Sequence, residues 1–157
     1  MKKIHDLSYL AGVFDGEGCI SISHGAKSWN LSCYVTMAGE YIPRLFQFHF
    51  GGSIRHRKPN PAKTQWHDYY KWHIAANKAA TFLEELLPYL RLKRPQAELA
   101  IKFQHRICSN THHGRRQLLD SEVALREAEI ILMHSLKAES YEQNGKEDNA
   151  KVKPDYF

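Results

Sequence analysis

Two carboxylates, Asp15 and Glu17, are separated by one residue in the segment Asp15-Gly16-Glu17-Gly18, where a predicted helix ends. The partial negative charge at a helix C-terminus opposes an acidic side chain by about 0.3–1 kcal/mol, so Lys or Arg would be more stable there. A divalent cation can compensate these acids, because carboxylate and peptide oxygens are the hard ligands that Mg²⁺ prefers. The alternative is a solvated acidic turn, and the segment lacks the ligand spacing of an EF-hand loop.

The helix that leads to these acids is predicted over residues 6–14, with its apolar residues on one face: Leu7, Leu10, Ala11 and Phe14. Gly16 and Gly18 predict a left-handed exit from it. Gly12 lies in mid-helix, where Gly is less favourable than Ala by about 0.5–1 kcal/mol. We expect Ala11 and Gly12 on the surface, where small residues let another helix approach closely.

The rest of the chain alternates strand and helix patterns. Strands are predicted over residues 19–24, 31–37, 53–57 and 69–75, and helices over residues 43–50, 77–87, 95–107 and about 120–138. Gly51 and Gly52 stop the second helix, and Asn77 caps the third. This order predicts an α+β fold, in which helices cover one face of a four-stranded antiparallel sheet.

Alternation along the strands separates two faces of this sheet. The apolar face, which we expect under the helices, consists of Ile20, Ile22, Cys33, Val35, Trp72 and Ile74. The other face collects donors suited to phosphates and base edges: Ser21, Ser23, Ser32, Tyr34, Thr36, Arg55, Arg57, Lys71 and His73. Lys27 and Asn30, from the first hairpin connection, are candidates for the same surface. The pattern predicts nucleic-acid contacts, although a solvated sheet face fits it equally well.

Charge and composition limit the classes of function. Up to Cys108 the chain has 15 basic and 8 acidic residues (+7), and after it 7 and 9 (−2). A positive surface gains by neutralising phosphates. The 157 residues suit one domain, expected over 1–138, with 139–157 as a flexible tail. No apolar stretch is long enough for a membrane span, no secretory pattern is present, and the three cysteines fit no disulfide scaffold or zinc pattern, so we expect an intracellular protein.

One segment of the chain is specific enough to indicate a family. From Leu10 to Gly18 the sequence is Leu-Ala-Gly-Val-Phe-Asp-Gly-Glu-Gly, and a predicted strand follows directly. It resembles the signature of the LAGLIDADG homing endonucleases, which has Leu-Ala-Gly, two apolar residues, Asp, Gly, an acid and Gly. Residues 50–54 and the segment Leu-Arg-Leu-Lys-Arg-Pro-Gln-Ala at 90–97 are also similar to the family. The similarity covers roughly residues 7–107.

The resemblance implies an αββαββα fold and Mg²⁺-dependent cleavage of long, specific double-stranded DNA sites. Because one motif is present, it implies a homodimer on a partly palindromic target. The two motif helices would pack together through Leu10, Ala11, Gly12 and Asp15. Glu17 is implied as a catalytic residue and the principal metal ligand, with the Gly16 carbonyl as a second ligand. Lys93 is implied as the lysine that stabilises the phosphate or polarises a water.

Two positions depart from the family pattern. Met37 stands where the resemblance implies Gln, and a thioether cannot orient a nucleophilic water, so that role falls to a neighbour such as Thr36 or is absent. The second acid is Glu17 rather than the commoner Asp, which is still a hard ligand with one more methylene of reach.

The leading hypothesis is therefore a site-specific homing endonuclease encoded in an intron or another mobile element. The alternatives on the same fold are an RNA maturase that assists intron splicing and a DNA-binding regulator that does not cleave. Intact Glu17 and Lys93 favour the enzyme, since a binding protein does not need acids facing a phosphate backbone. A purely structural module would leave both the basic sheet and the acids unexplained.

Overall fold

A computed structural model of the chain describes residues 4–25, 28–58, 68–109 and 118–149. In chain order the elements are α1 (Ile4–Glu17), β1 (Gly18–His24), β2 (Trp29–Met37), α2 (Tyr41–Phe50), β3 (Ser53–Arg57), β4 (Tyr69–Ala75), α3 (Ala76–Leu86), a 3₁₀ turn (Leu87–Tyr89), α4 (Arg94–Ser109) and α5 (Asp120–Asn149). The predicted α+β class and the αββαββα order are confirmed. No helix in these ranges is both long and apolar enough to cross a membrane. Lys27 lies outside the described residues, as does the tail beyond 149.

The four strands form one antiparallel sheet in the order β1-β2-β4-β3. Val35 pairs with Gly18 on one side and with Trp72 on the other, and Trp72 pairs in turn with Ile54. The predicted apolar face is confirmed, because its six members are at most 4% exposed: Ile20, Ile22, Cys33, Val35, Trp72 and Ile74. Burial among these residues raises the pKa of the Cys33 thiol.

An aromatic cluster joins three helices to the sheet. Phe46 of α2 lies 4.9 Å from Trp72 of β4, and Phe82 of α3 lies 5.0 Å from Phe14 of α1, both between ring centroids. Gly51 and Gly52 end α2 as predicted, with φ of 74° and 84°. The turn brings the Gly51 carbonyl within 2.8 Å of the Trp72 indole nitrogen, which donates a hydrogen bond to it. These contacts fix α1 beneath the sheet.

The junction of α1 and β1 differs from the prediction. The helix continues through Glu17 and passes directly into the strand, and among the described glycines only Gly51 and Gly52 have positive φ. The predicted left-handed exit is therefore wrong. Gly18 is required for a different reason, since a Cβ there would overlap the ring and the carbonyl oxygen of Phe14.

Three further expectations need correction. Ala11 is fully buried in the core and not on the surface, because α1 turns this side toward the sheet and α3. Asn77 does not cap α3; the helix begins at Ala76, and the Asn77 amide oxygen accepts a hydrogen bond from Gln104 at 2.9 Å, which ties α3 to α4. The last helix, predicted to about residue 138, extends through Asn149.

α5 is attached to α4 by a network of charges. Both terminal nitrogens of Arg106 donate to the Glu129 carboxylate, and Arg126 Nε lies 2.7 Å from a Glu122 oxygen. Burial works to raise the pKa of Glu122, but hydrogen bonds from Arg126 and Arg106 outweigh it and hold that pKa below its ordinary value. Met133 adds an apolar anchor, since it is 1% exposed in the main core. α5 therefore has a defined position on the domain.

Candidate functional site

One carboxylate holds the acidic end of α1 against the loop before α4. Asp15 Oδ2 accepts a hydrogen bond from the Arg91 backbone N–H at 2.8 Å, and Oδ1 accepts one from the Lys93 N–H at 2.9 Å. The Lys93 ammonium also donates to the Asp15 carbonyl oxygen. The structure thus brings together Asp15 and Lys93, two residues that the sequence analysis singled out separately. These contacts are made within one chain.

Glu17 is the last residue of α1, and its side chain is exposed. Its carboxylate has no hydrogen bond or ion pair with any residue in the described ranges. Gly16, the neighbouring residue, is also exposed. An acid at this position meets the negative end of the helix dipole, so an approaching cation is attracted by both the side chain and the helix end.

Lys93 is half-buried, and charged groups from several elements influence its pKa. Burial lowers its pKa, and repulsion from Lys137 acts in the same direction. Attraction to Asp15, Cys19 and Glu17 opposes the shift without cancelling it. The ammonium of Lys93 therefore lies within the electrostatic reach of the exposed Glu17 carboxylate.

A cleft of about 170 Å³ opens beside these residues. Asp15, Gly16 and Lys93 line it, together with six residues that were not predicted as site residues: Gly18, Cys19, Leu92, Gln96, Lys137 and Ser140. For Lys137 a signal was available, because it follows the apolar Met133 by one turn of α5 and so lies on the helix face that turns inward. Cys19 lies two residues before Ser21 on β1, so the period-two alternation of the strand places both on the same face and could have identified Cys19.

The polar sheet face is assembled as the alternation predicted. The register places Thr36 opposite Lys71, which pairs in turn with Arg55. Tyr34 pairs with His73 in the next row. The hydroxyl-bearing end of the face is formed by two cross-strand pairs, Ser21 with Ser32 and Ser23 with Asn30. We name this surface the polar face: residues 21, 23, 30, 32, 34, 36, 55, 57, 71 and 73.

Basic side chains line a groove of about 320 Å³ on the polar face, namely Arg55, Arg57, Lys71 and His73, together with Tyr69, which the sequence analysis missed. The Lys71 ammonium lies 3.6 Å from the centroid of the Tyr34 ring. Burial lowers the pKa of His73, and the charges of Lys71 and Arg55 lower it further. The groove is thus a region of positive electrostatic potential, and a bound anion would reduce the repulsion between its cationic side chains.

The outer side of α1 is open. Tyr9 is 52% exposed, and Gly12 and Gly16 are exposed one turn apart. A Cβ added at Gly12 would meet nothing within 4 Å in the same chain. Leu10 and Ala11 face the core of their own protomer, so only part of the residue set expected at a helix–helix contact is available on the surface.

The residues at the end of α1 fit half of a divalent-metal site. In the described ranges, no three His, Cys, Asp or Glu side chains are grouped as ligands. The Asp15 carboxylate is already engaged by two backbone N–H groups, which leaves Glu17 as the open carboxylate at this helix end. Glu17 and the Gly16 carbonyl are oxygen donors of the type that Mg²⁺ prefers.

Comparison with known proteins identifies the architecture. Neither a family model nor a curated protein matches the chain. Solved structures match: the homing endonuclease I-CvuI, crystallised with the I-CreI target and Mg with its DNA not cleaved, is 22% identical with a TM-score of 0.51, over 82% of this chain and 98% of that one. The archaeal intron-encoded homing endonuclease I-Vdi141I, complexed with DNA, is 14% identical with a TM-score of 0.51, over 87% and 99%.

A third structure carries the motif name itself. The LAGLIDADG homing endonuclease I-GzeII, in complex with its DNA target, is 16% identical with a TM-score of 0.57. The match covers 81% of this chain and 43% of I-GzeII, so this chain corresponds to less than half of that protein. The chain has the LAGLIDADG homing endonuclease fold. In this chain α1 carries the segment that resembles the family signature, and the polar face is the side of the sheet opposite the buried apolar face.

Met37, which stands where the family resemblance implies Gln, lies on the core side of β2. Met37 is the last residue of β2, pairs with Tyr70 and packs against the core cluster, on the same side of the strand as Val35. Thr36 lies on the polar face opposite Lys71. The Thr36 hydroxyl group therefore lies on the polar face near the end of β2, whereas the Met37 thioether lies on the core side.

Proposed function

We propose that this chain is a site-specific homing endonuclease that makes Mg²⁺-dependent double-strand breaks in a long, partly palindromic DNA target as a homodimer. The observation that carries the proposal is the junction of α1 with the loop before α4, where Asp15 holds Lys93 next to the open Glu17 carboxylate. The groove lined by Arg55, Arg57 and Lys71 lies on β3 and β4 of the same sheet, and β2 separates these strands from β1, which the junction leads into. An exposed carboxylate repels DNA phosphates and so weakens binding by a protein that only binds DNA. In phosphodiester hydrolysis the same carboxylate can hold a metal ion.

Each side chain has a role that its surroundings support. Glu17 would hold a divalent ion with the Gly16 carbonyl, and the bound ion would supply charge neutralisation and an activated water. Lys93 is positioned by Asp15 to stabilise the phosphate or to polarise that water. Thr36 is the candidate for orienting it, in place of Met37. The polar face would bind the duplex, with Arg55, Arg57 and Lys71 on phosphates and base edges.

The proposed homodimer forms through the outer side of α1. Gly12 and Gly16 are exposed and offer no Cβ, so a second α1 could approach at backbone distance. Two motif helices packed in this way would place two Glu17 side chains near the symmetry axis, one for each DNA strand. The half-set of metal ligands in one protomer supports this assembly, because the second half would come from the partner copy.

The test is selection of cleaved sites from a library of partly palindromic duplexes, incubated with the purified chain and Mg²⁺. We expect recovery of a single family of related sites, both strands cut, with half-site spacing set by the two-fold axis. Omission of Mg²⁺ should stop cleavage and leave binding. Recovery of no cleaved duplex under conditions where the chain is folded and dimeric would contradict the proposal.

One observation favours the alternative on the same fold. Met37 packs into the core and provides no polar group for a nucleophilic water. This is compatible with a DNA-binding regulator that does not cleave or with a maturase that binds intron RNA. The same library distinguishes them, since a regulator would retain specific duplexes without cutting them, and a maturase would prefer structured RNA over every duplex in the pool.

A further inference from the structure

The proposed function leaves one cation at the cleft without a role. Gly16 lines the cleft from the end of α1, and Lys93 lines it from the loop before α4. Lys137 and Ser140 line it from α5. Lys137 belongs to the C-terminal helix, outside the segment that resembles the family motifs. Two lysines that are distant in the sequence thus border a space of about 170 Å³.

The position of Lys137 is set by the anchors of α5. Met133, one turn earlier on the same face, is buried in the main core. One turn before it, Glu129 is held by Arg106. On the other side of Lys137, the Ser140 hydroxyl oxygen accepts a hydrogen bond from Gln96 Nε2 at 3.4 Å. The helix therefore directs Lys137 into the cleft rather than into solvent.

No carboxylate forms an ion pair with Lys137 in the described ranges, and its ammonium lies 3.6 Å from Cys19 Sγ, a weak acceptor. Asp15 lines the same cleft and attracts Lys93, but its carboxylate already accepts hydrogen bonds from two backbone N–H groups. Lys137 and Lys93 repel each other, which makes the smallest contribution to the pKa of Lys93. A phosphate, with several charged oxygens, can accept hydrogen bonds from both.

We infer that Lys137 is a second catalytic cation of the cleavage site, and that its ammonium contacts a non-bridging oxygen of the scissile phosphate beside Lys93. In the reaction a water oxygen bonds to phosphorus and that water releases a proton to solvent, while one P–O ester bond breaks and the leaving oxygen takes up a proton from solvent. Lys137 transfers no proton in this step and stabilises the charge that develops on the phosphate oxygens. The inference rests on the proposed function, because the phosphate is that of the DNA target.

The experiment compares single-turnover cleavage rates on the DNA site selected with Mg²⁺, with enzyme in excess over DNA. Lys137→Met should lower the rate by about a hundredfold, the usual loss for one donor to transition-state charge. Affinity for the same duplex in Ca²⁺ should change by less than about tenfold, since one phosphate contact among many is lost. Lys137→Arg should recover much of the rate. Lys102→Met, an exposed lysine on α4, is the matched control and should cleave like the wild type.

Thermal melting separates this role from a structural one. Because Lys137 forms no ion pair with a carboxylate in the described ranges, Lys137→Met should leave the Tm unchanged. Three results would overturn the inference and leave the proposed function intact. The first is a wild-type cleavage rate in Lys137→Met, and the second is a loss of rate matched by an equal loss of affinity. The third is a loss of rate with a lowered Tm that Lys137→Arg does not recover. Absence of cleavage by the wild-type chain itself would overturn both.

Discussion

The cleft and the polar face contain similar residue types but differ in how these residues are held. At the cleft, Asp15 fixes the loop of Arg91 and Lys93 through two backbone hydrogen bonds. On the polar face, Arg55 and Arg57 are exposed on an edge strand, outside any ion pair recorded for the described part of the chain. Chemistry requires fixed geometry, whereas recognition of a long duplex requires side chains that can adapt to it. Positive charge alone therefore does not distinguish the proposed catalytic cleft from the polar face.

The largest effect is expected at Glu17, the exposed carboxylate at the end of α1. Glu17→Gln keeps the size of the side chain and removes its charge, so it should abolish detectable cleavage, a loss of at least about a hundredfold. DNA affinity should be retained, because the polar face is unaffected. Single-turnover cleavage and binding to the selected duplex in Ca²⁺ measure the two effects. Loss of binding with unchanged cleavage would exclude Glu17 as a metal ligand.

The next prediction concerns the outer side of α1, through which two cleft regions would meet. Gly12→Val meets no atom of its own protomer, so its steric effect should fall on the partner copy. We expect sedimentation to show a dimer for the wild type and a monomer for the variant, with cleavage lost in parallel. Lys102→Val, on the exposed side of α4, should remain dimeric. A monomeric wild type at micromolar concentration would rule out this assembly.

Asp15 tests whether the fixed geometry of the cleft matters. Asp15→Ala removes the acceptor of two backbone N–H groups, which should cost about 1–3 kcal/mol of unfolding free energy. Cleavage should fall further than this loss of stability explains, because Lys93 is no longer positioned. Denaturant unfolding and single-turnover rates at low temperature, where the variant remains folded, measure the two effects. A cleavage rate like that of the wild type would show that the placement of Lys93 is irrelevant.

The polar face should respond in the opposite manner. Arg55→Ala should weaken binding by about 1–3 kcal/mol and relax specificity at one base position if the contact is to a base. It should leave the Tm unchanged, since Arg55 is exposed. Cleavage at saturating enzyme should also be unchanged. A slower cleavage step at saturation would mean that the two regions are not separable.

The smallest effect is a dependence of binding on pH. The pKa of His73 is lowered, so in the free protein the neutral imidazole is favoured and stability is lost as the pH falls below about 6.5. A DNA phosphate favours the charged form, so binding should be accompanied by proton uptake and should strengthen over the same pH range. His73→Gln should reduce this dependence, measured by titrations at several pH values. Identical profiles for both proteins would exclude His73 from the interface.

The sequence predicted the sheet better than it predicted the helix ends. Strands β3 and β4 have the predicted bounds, because period-two alternation is a local property that the sheet preserves. The exit from α1 was wrong, since the role of Gly18 depends on Phe14, whose ring packs over it only in the folded chain. The burial of Ala11 agrees with its place on the apolar face beside Leu10 and Phe14, and the predicted surface position was wrong because small size does not by itself indicate a helix–helix contact.

The cleft could be predicted only in part. Asp15, Gly16 and Lys93 of its lining lie in the segments that resemble the family, but Lys137 lies on a helix whose packing against α4 depends on charge pairs such as Arg106 with Glu129. A residue pattern does not reveal such long-range pairing. The hydrogen bonds from the backbone of Arg91 and Lys93 to Asp15 were equally invisible, because main-chain donors carry no sequence signal.

We expect two copies of the chain to bring their Glu17 carboxylates together over the DNA backbone. The direct measurement is an anomalous difference map from crystals of the chain with its selected duplex and Mn²⁺ in place of Mg²⁺. The account predicts paired α1 helices on the two-fold axis and metal peaks beside both Glu17 side chains. Glu17 carboxylates that are remote from each other, or metal peaks at other residues, would contradict it.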